Sequence, residues 1–220
     1  MYQLRKAESI DHFEEKVHND PLNALARKSL FYGPAVSSSQ PEPWSLGTEI
    51  ITMHPTAEAG LPHTRPPNLI CMPQWFPEER KQQILLHEYV HIDQRKRRSL
   101  WDTYFEKEGW TPILESELPE RMVRRCRMNP DTIDSRFWAW EGQHVPLPLF
   151  EREDKPELRQ VTVQWYDMKS GIRQPQAPRR FVERYGSFPS QPEHPRELSA
   201  VELAKILQKP EDIDSYLGSQ

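Results

Sequence analysis

Apolar residues recur along the chain at two spacings, and each spacing predicts one class of secondary structure. Recurrence every three or four residues indicates one face of an α-helix, whereas alternation or a short apolar run indicates a β-strand. The first spacing predicts two short helices within residues 8–31, broken at Asp20-Pro21, and helices over residues 77–98, 99–109, 116–128 and 197–207. The second predicts strands over residues 48–53, 68–73, 137–140, 145–150 and 161–166.

The connections between these elements are rich in proline and other turn residues. Three such stretches, residues 33–47, 54–67 and 172–195, are predicted to be largely irregular. The mixture of helices and strands, without an internal repeat, predicts one α+β domain over residues 1–220. Within it we expect an aromatic-rich β insertion at about residues 110–170 and a short tail at 208–220.

Net charge, cysteine content and the lengths of apolar runs exclude several classes of protein. A net charge of −4 leaves no basic surplus for a nucleic-acid surface, so we expect no nucleic-acid partner. Cys71 and Cys126 do not form a disulfide framework and fit a reducing compartment. The first twenty residues contain no apolar run of the signal-peptide type, and no stretch reaches the ~20 apolar residues of a membrane span. These features predict a soluble intracellular protein without membrane contact.

The strongest chemical signal is the pentapeptide His87-Glu88-Tyr89-Val90-His91. Two histidines four residues apart lie on one face of a helix, so both imidazoles can reach a single zinc ion. The glutamate after the first histidine faces the same cavity without being a ligand, where it can act as general base and then as general acid. This spacing is the signature of zinc peptidases.

The helix around the motif supports this interpretation. Glu78 and Glu79 lie at its beginning and a run of basic residues at its end, where the helix dipole favours each charge. Apolar residues fill its middle, so the two histidines and Glu88 are expected to be buried. Buried imidazoles beside a buried carboxylate need a partner, and zinc would supply it.

A third protein ligand must come from elsewhere in the chain. Catalytic zinc sites use three protein ligands and leave one position open for water or substrate. The residues alone leave Glu197, Asp131, Asp134 and Glu141 as candidates, and a site without a third carboxylate also stays open, because histidine can serve as a zinc ligand.

Together with the later segment Glu197-Leu198-Ser199-Ala200, the histidine motif resembles the gluzincin metallopeptidases. The similarity is greatest to the compact group that includes the catalytic domain of anthrax lethal factor. The resemblance implies a zincin-like α+β fold with an active-site helix and a small mixed or antiparallel sheet. It also implies Glu197 as the third ligand, with Ala200 allowing the two helices to approach closely.

The resemblance implies further parts of the site. It places a transition-state-stabilising tyrosine at Tyr185, and it suggests that residues 68–72 form the edge strand to which an extended substrate adds. Two hypotheses come from the residues themselves: Asp93 is a candidate partner for a ligand imidazole, and Trp138 and Trp140 are candidates for lining a substrate groove.

The predicted function is that of a zinc metallopeptidase hydrolysing peptide bonds of a polypeptide, with Glu88 as base and acid. Two alternatives stay open. One is a non-catalytic protein that keeps the zincin scaffold within a larger assembly, since many prolines and the aromatic insertion suit extended contacts with protein partners. The other is a zinc-dependent hydrolase acting on a non-peptide amide.

Overall fold

Two β-sheets, with helices packed between and around them, organise the chain in the computed structural model, which describes residues 2–30, 33–35, 42–44, 47–187 and 189–218. The architecture is α+β, as the sequence predicts. Much of the predicted loop at 33–47 lies outside the described residues. Within the described ranges, no helix has the length and apolar character needed to cross a bilayer.

Three short helices begin the chain: α1 (Tyr2–Asp11), α2 (Phe13–Asn19) and α3 (Pro21–Arg27). The predicted break at Asp20-Pro21 is confirmed. The Asp20 side chain accepts a hydrogen bond from the Asn23 backbone N–H, and Pro21 occupies the first turn of α3, where its missing N–H costs nothing.

The first sheet contains β1 (Glu42–Pro43), β2 (Glu49–Met53), β3 (His63–Arg65) and β4 (Leu69–Pro73) in the order β1-β2-β4-β3. Strands β2 and β4 are parallel, and the other pairs are antiparallel. The expectation that residues 68–72 form the edge is therefore wrong, because β3 covers that side of β4. Strand β3 consists of His63, Thr64 and Arg65, which show no apolar alternation, and it falls in a stretch predicted as turns.

Helix α4 (Glu78–Lys96) carries the histidine motif and is followed directly by α5 (Arg98–Lys107). Leu85 and Ile92 of α4 pack on Ile70 and Met72 of β4. The boundary lies at Arg97, whose side chain contacts Asp93 at 2.7 Å. The continuous helix predicted over residues 77–98 thus ends close to its predicted limit.

The second sheet accounts for the aromatic insertion. It joins β5 (Trp110–Pro112), β6 (Trp138–Trp140), β7 (His144–Phe150), β8 (Val161–Asp167) and β9 (Arg173–Gln174) in sequence order, all antiparallel. Between β5 and β6, α6 (Glu120–Val123) is shorter than the helix predicted over 116–128.

The last helices are α7 (Arg179–Tyr185), α8 (Pro195–Ile206) and α9 (Ile213–Gly218). Helix α8 runs antiparallel to α4. Gln94, near the end of α4, donates to the carbonyl of Arg196 in the first turn of α8. Gln82, near the beginning of α4, donates to the carbonyl of Gln208 just after the end of α8. Ala200 is fully buried, as expected for a small residue at a close helix contact. A core rich in tryptophan and other aromatic residues joins α4, α5, α7, α8 and α9 to the second sheet.

Candidate metal centre

Helices α4 and α8 bring His87, His91 and Glu197 together into a group that could hold a metal ion. The two histidine Nε2 atoms are 3.1 Å apart. Glu197 Oε2 lies 3.5 Å from Nε2 of His87 and 3.4 Å from Nε2 of His91. Of the four candidate third ligands, the structure places Glu197 beside the histidines.

These separations match a tetrahedral ion. Ligand bonds of ~2.0–2.1 Å in tetrahedral geometry put neighbouring ligand atoms roughly 3.3 Å apart. The three measured distances, from 3.1 to 3.5 Å, bracket that value. Two ring nitrogens facing each other at 3.1 Å also need a shared proton or cation between them, so the residues present fit a bound metal.

Supporting hydrogen bonds orient two of the three side chains. His91 Nδ1 lies 2.9 Å from Gln94 Oε1, which can only accept, so Nδ1 carries a proton and Nε2 is the nitrogen that can bind a metal once it has lost its own proton. Gln94 in turn donates to the carbonyl of Arg196 and to Ser199 Oγ on α8. Asn129 donates to Glu197 Oε1 at 2.6 Å, which leaves Oε2 directed at the histidines.

The partner of the imidazole is therefore Gln94 and not the expected Asp93. The Asp93 carboxylate accepts hydrogen bonds from Arg97 and from the Trp101 indole, and so holds the junction of α4 and α5. Sequence analysis missed both Gln94 and Asn129. Gln94 lies three residues after His91, on the same helix face, and that spacing was a usable signal.

The charges of the candidate ligands shift one another's pKa values. Burial acts to lower the pKa of His91, but the carboxylates of Glu197 and Asp131 raise it to about 9. Burial acts to raise the pKa of Glu197, but His91 and His87 bring it well below its usual range. Without metal, the cluster is therefore an ion pair whose proton must leave when a metal binds.

Glu88 lies beside this cluster and is not one of the three grouped ligands. It is 3% exposed, and its Oε2 has no hydrogen-bond partner among the described residues. Burial raises the pKa of Glu88 well above its usual range, and the carboxylate of Asp131 adds to the shift. A buried carboxyl oxygen without a partner is costly, and Glu88 is one of the residues that line a groove, where a ligand could supply that partner.

The other three candidate carboxylates have different partners. Asp131 accepts from the backbone N–H and hydroxyl of Thr64, and Arg95 lies 3.4 Å from it. Asp134 pairs with Arg196 at 2.6 Å, and Glu141 pairs with Arg180 at 2.8 Å on the surface.

Tyr185 does not join the site. Its hydroxyl accepts a hydrogen bond from the Trp110 indole at 3.2 Å, and its ring packs against Trp140 and Phe181. The position carried over by resemblance thus falls in the aromatic core. Trp138 and Trp140 are also buried in that core and do not line a groove, because the second sheet packs this face on the helices.

The cluster opens into a groove that encloses about 660 Å³. One wall is formed by residues 61–63 leading into β3, and another by β8 with Val161 and Val163. Helices α4 and α8 form a third side, and the segments 127–131 and 190–193 also line the groove. The aromatic insertion therefore contributes to the groove through β8, a role that its tryptophans did not indicate.

The outer edge of β3 is already bonded. Its central residue, Thr64, donates its backbone N–H to Asp131 at 2.7 Å. The Thr64 carbonyl accepts from Arg95 at 3.1 Å, and the Thr64 hydroxyl also contacts Arg95. Because both backbone groups are taken, an extended peptide cannot add to β3 at Thr64.

Comparison of this chain with protein-family models, with curated proteins and with solved structures finds no match.

Proposed function

We propose that this protein is a zinc-dependent metallopeptidase that hydrolyses peptide bonds of a polypeptide. The observation that carries the proposal is the juxtaposition of His87, His91 and Glu197 at tetrahedral spacing with the buried Oε2 of Glu88, which has no hydrogen-bond partner in the part of the chain that the structure describes. Two imidazoles and one carboxylate are a ligand set found at catalytic zinc sites.

When bound, zinc would polarise the scissile carbonyl and lower the pKa of the attacking water. Glu88 would accept the proton of that water through Oε2 and then deliver it to the leaving amine. Gln94 would hold His91 in the tautomer that presents Nε2, and Asn129 would hold Glu197 with Oε2 towards the histidines.

The groove is consistent with a polypeptide substrate. It is open to solvent and bounded by segments from both sheets and two helices, so a chain can lie across the metal centre. Since β3 is closed at Thr64, the side chains of the groove walls would hold the substrate, rather than strand addition.

Glu88→Gln tests the proposal. Glutamine keeps the shape of the side chain but cannot take the proton, so zinc should remain bound while hydrolysis of a fluorogenic peptide library falls by at least ~10²-fold. Glu79→Gln, an exposed change about two and a half turns earlier on α4, is the matched control and should leave the rate unchanged. Loss of zinc in Glu88→Gln would contradict the assignment of Glu88 as base, and absence of turnover by the zinc-loaded parent would refute the function.

A further inference from the structure

The number of charged side chains that line the groove does not show which charge is available to a ligand. Five carboxylates and four basic side chains line it, which suggests an acidic groove that would favour a basic substrate. A charge that is already paired with a neighbour contributes little to the recognition of a ligand. The pairing of each lining charge therefore decides the character of the groove.

Four of the five carboxylates have cationic or imidazole partners. Glu58 pairs with Arg27 and Glu193 with Arg127, each at 2.8 Å. Asp131 lies against Arg95, and Glu197 faces both histidines. The fifth carboxylate is the buried Glu88, which the proposed mechanism uses.

The basic side chains differ in this respect. Arg80 on α4 and Lys205 on α8 are exposed, and neither forms an ion pair within the described part of the chain. Among the described residues, Arg159 bonds the carbonyls of Ala59 and Gly60 and no carboxylate. After pairing, the free charge along the groove is positive.

Arg80 and Lys205 lie at the same end of the groove because α4 and α8 are antiparallel. Arg80 precedes His87 by seven residues and Lys205 follows Glu197 by eight, which is roughly 10–12 Å along each helix. Ile84, Val201 and Ala204 lie between these cations and the metal centre. An extended peptide advances roughly 3.3 Å per residue, so the cations are about three residues from the centre.

From this arrangement we infer that the substrate is a polypeptide with an Asp or Glu side chain about three residues from the scissile bond, and that this side chain binds between Arg80 and Lys205. The inference rests on the proposed function and specifies the substrate of that site. The apolar stretch between cations and metal would take uncharged side chains, and the charge at its end would fix the register.

The test measures binding and hydrolysis separately. Nonapeptides of uncharged residues carry a single Glu, Gln or Lys at each position in turn, with an uncharged fluorophore. Their affinity for the zinc-loaded Glu88→Gln chain is measured by anisotropy, and their cleavage by the zinc-loaded parent is followed by mass spectrometry. Glu should bind roughly tenfold more tightly than Lys at one position about three residues from the cleaved bond, the scale of two partly exposed charge pairs.

Charge reversal identifies the residues responsible. Arg80→Glu with Lys205→Glu, in the Glu88→Gln background, should abolish or invert the preference for Glu. Lys81→Glu with Lys96→Glu is the control, because it makes the same change in net charge at positions of α4 that do not line the groove.

The outcomes separate the two proposals. Cleavage with equal binding of Glu and Lys peptides overturns the charge inference and leaves the peptidase proposal standing. Tighter binding of Glu peptides without cleavage supports the groove and overturns the peptidase proposal. Failure to bind any Glu peptide overturns the charge inference directly.

Discussion

Two buried polar clusters in this molecule differ in how completely their members are bonded. In the first, the Arg27 cluster, the guanidinium donates to both oxygens of Glu58 at 2.8 Å, to Asn23 Oδ1 at 3.0 Å and to the Met128 carbonyl at 2.8 Å. In the metal-ligand cluster of His87, His91 and Glu197, the ligand atoms lie close together, and an oxygen of the neighbouring Glu88 has no hydrogen-bond partner among residues 2–30, 33–35, 42–44, 47–187 and 189–218.

The difference in bonding indicates a structural role for the Arg27 cluster and a candidate chemical role for the metal-ligand cluster. The Arg27 cluster ties α3 to residues 57–60 and to the segment before β6, and its bonds are made within the chain. The metal-ligand cluster is also buried, except for the partly exposed His87, and its ligand atoms are close enough together that they could hold a metal ion. Burial of charged groups is therefore uninformative by itself, and the incompleteness of their bonding points to function.

The largest expected effect comes from breaking the first cluster. Arg27→Met removes the bidentate partner of the buried Glu58 carboxylate, and the loss of one member of a buried ion pair should lower the free energy of unfolding by about 3–5 kcal/mol. Urea denaturation of the metal-free chain measures it. Arg152→Met, which removes an exposed pair with Asp154, should cost less than ~1 kcal/mol. Equal effects of the two substitutions would remove the contrast between buried and exposed pairs.

Breaking the second cluster should affect metal more than folding. Glu197→Gln removes a charged ligand atom, so zinc affinity should fall by about 100-fold or more, beyond the usual loss for a supporting residue. Competition with a chromophoric chelator measures it. Asp131→Asn, Asp134→Asn and Glu141→Gln serve as comparisons. If zinc affinity falls more in one of these three variants than in Glu197→Gln, the residue changed in that variant is the third ligand instead of Glu197.

A further prediction for the metal-ligand cluster is that its zinc affinity depends on pH. Zinc needs the neutral imidazole, whereas His91 in the metal-free cluster has a pKa raised to about 9 and so is protonated at neutral pH. Apparent zinc affinity should therefore rise with pH up to about 9, by roughly tenfold per unit for one displaced proton. Calorimetry in buffers of different ionisation enthalpy should show proton release at pH 7. A flat profile between pH 6 and 8 would exclude His91 as a ligand.

The smallest expected effect concerns the ion pair between Asp134 and Arg196, which lies at the beginning of α8. Burial acts to raise the pKa of Asp134, but Arg196 lowers it to about 2 from 3.8. A depressed acid pKa stabilises the fold above the unfolded value and loses that contribution as pH falls from about 4 to 2. With screening at this partly exposed group, the loss should be about 1 kcal/mol. Asp134→Asn should remove that part of the pH dependence, and an unchanged profile would show that the pair contributes nothing.

The features that sequence predicts here are those set by local spacing. His87 and His91 share a helix face because of their separation by four residues, and the helix around them follows from its apolar middle and charged ends. Helix α8 is equally local, although it begins two residues earlier than predicted because His194 caps it by accepting from the Arg196 N–H.

Long-range contacts explain what the sequence does not predict. Strand β3 depends on pairing with β4 and on Asp131, 67 residues away from Thr64. Asn129 forms the turn that its Asn-Pro sequence indicates, yet its amide also holds Glu197, 68 residues later. Tyr185 was placed by analogy of position, but the packing of α7 on the second sheet directs it into the core.

The bonded edge of β3 has a consequence for how copies of the chain behave towards one another. An open strand edge is a template for pairing with another molecule, and such pairing leads to aggregation. Asp131 and Arg95 occupy the outward backbone groups of Thr64 with side chains that cannot extend a ladder. The same two bonds that deny strand addition to a substrate therefore also protect the β3 edge of the sheet from pairing with a neighbouring copy.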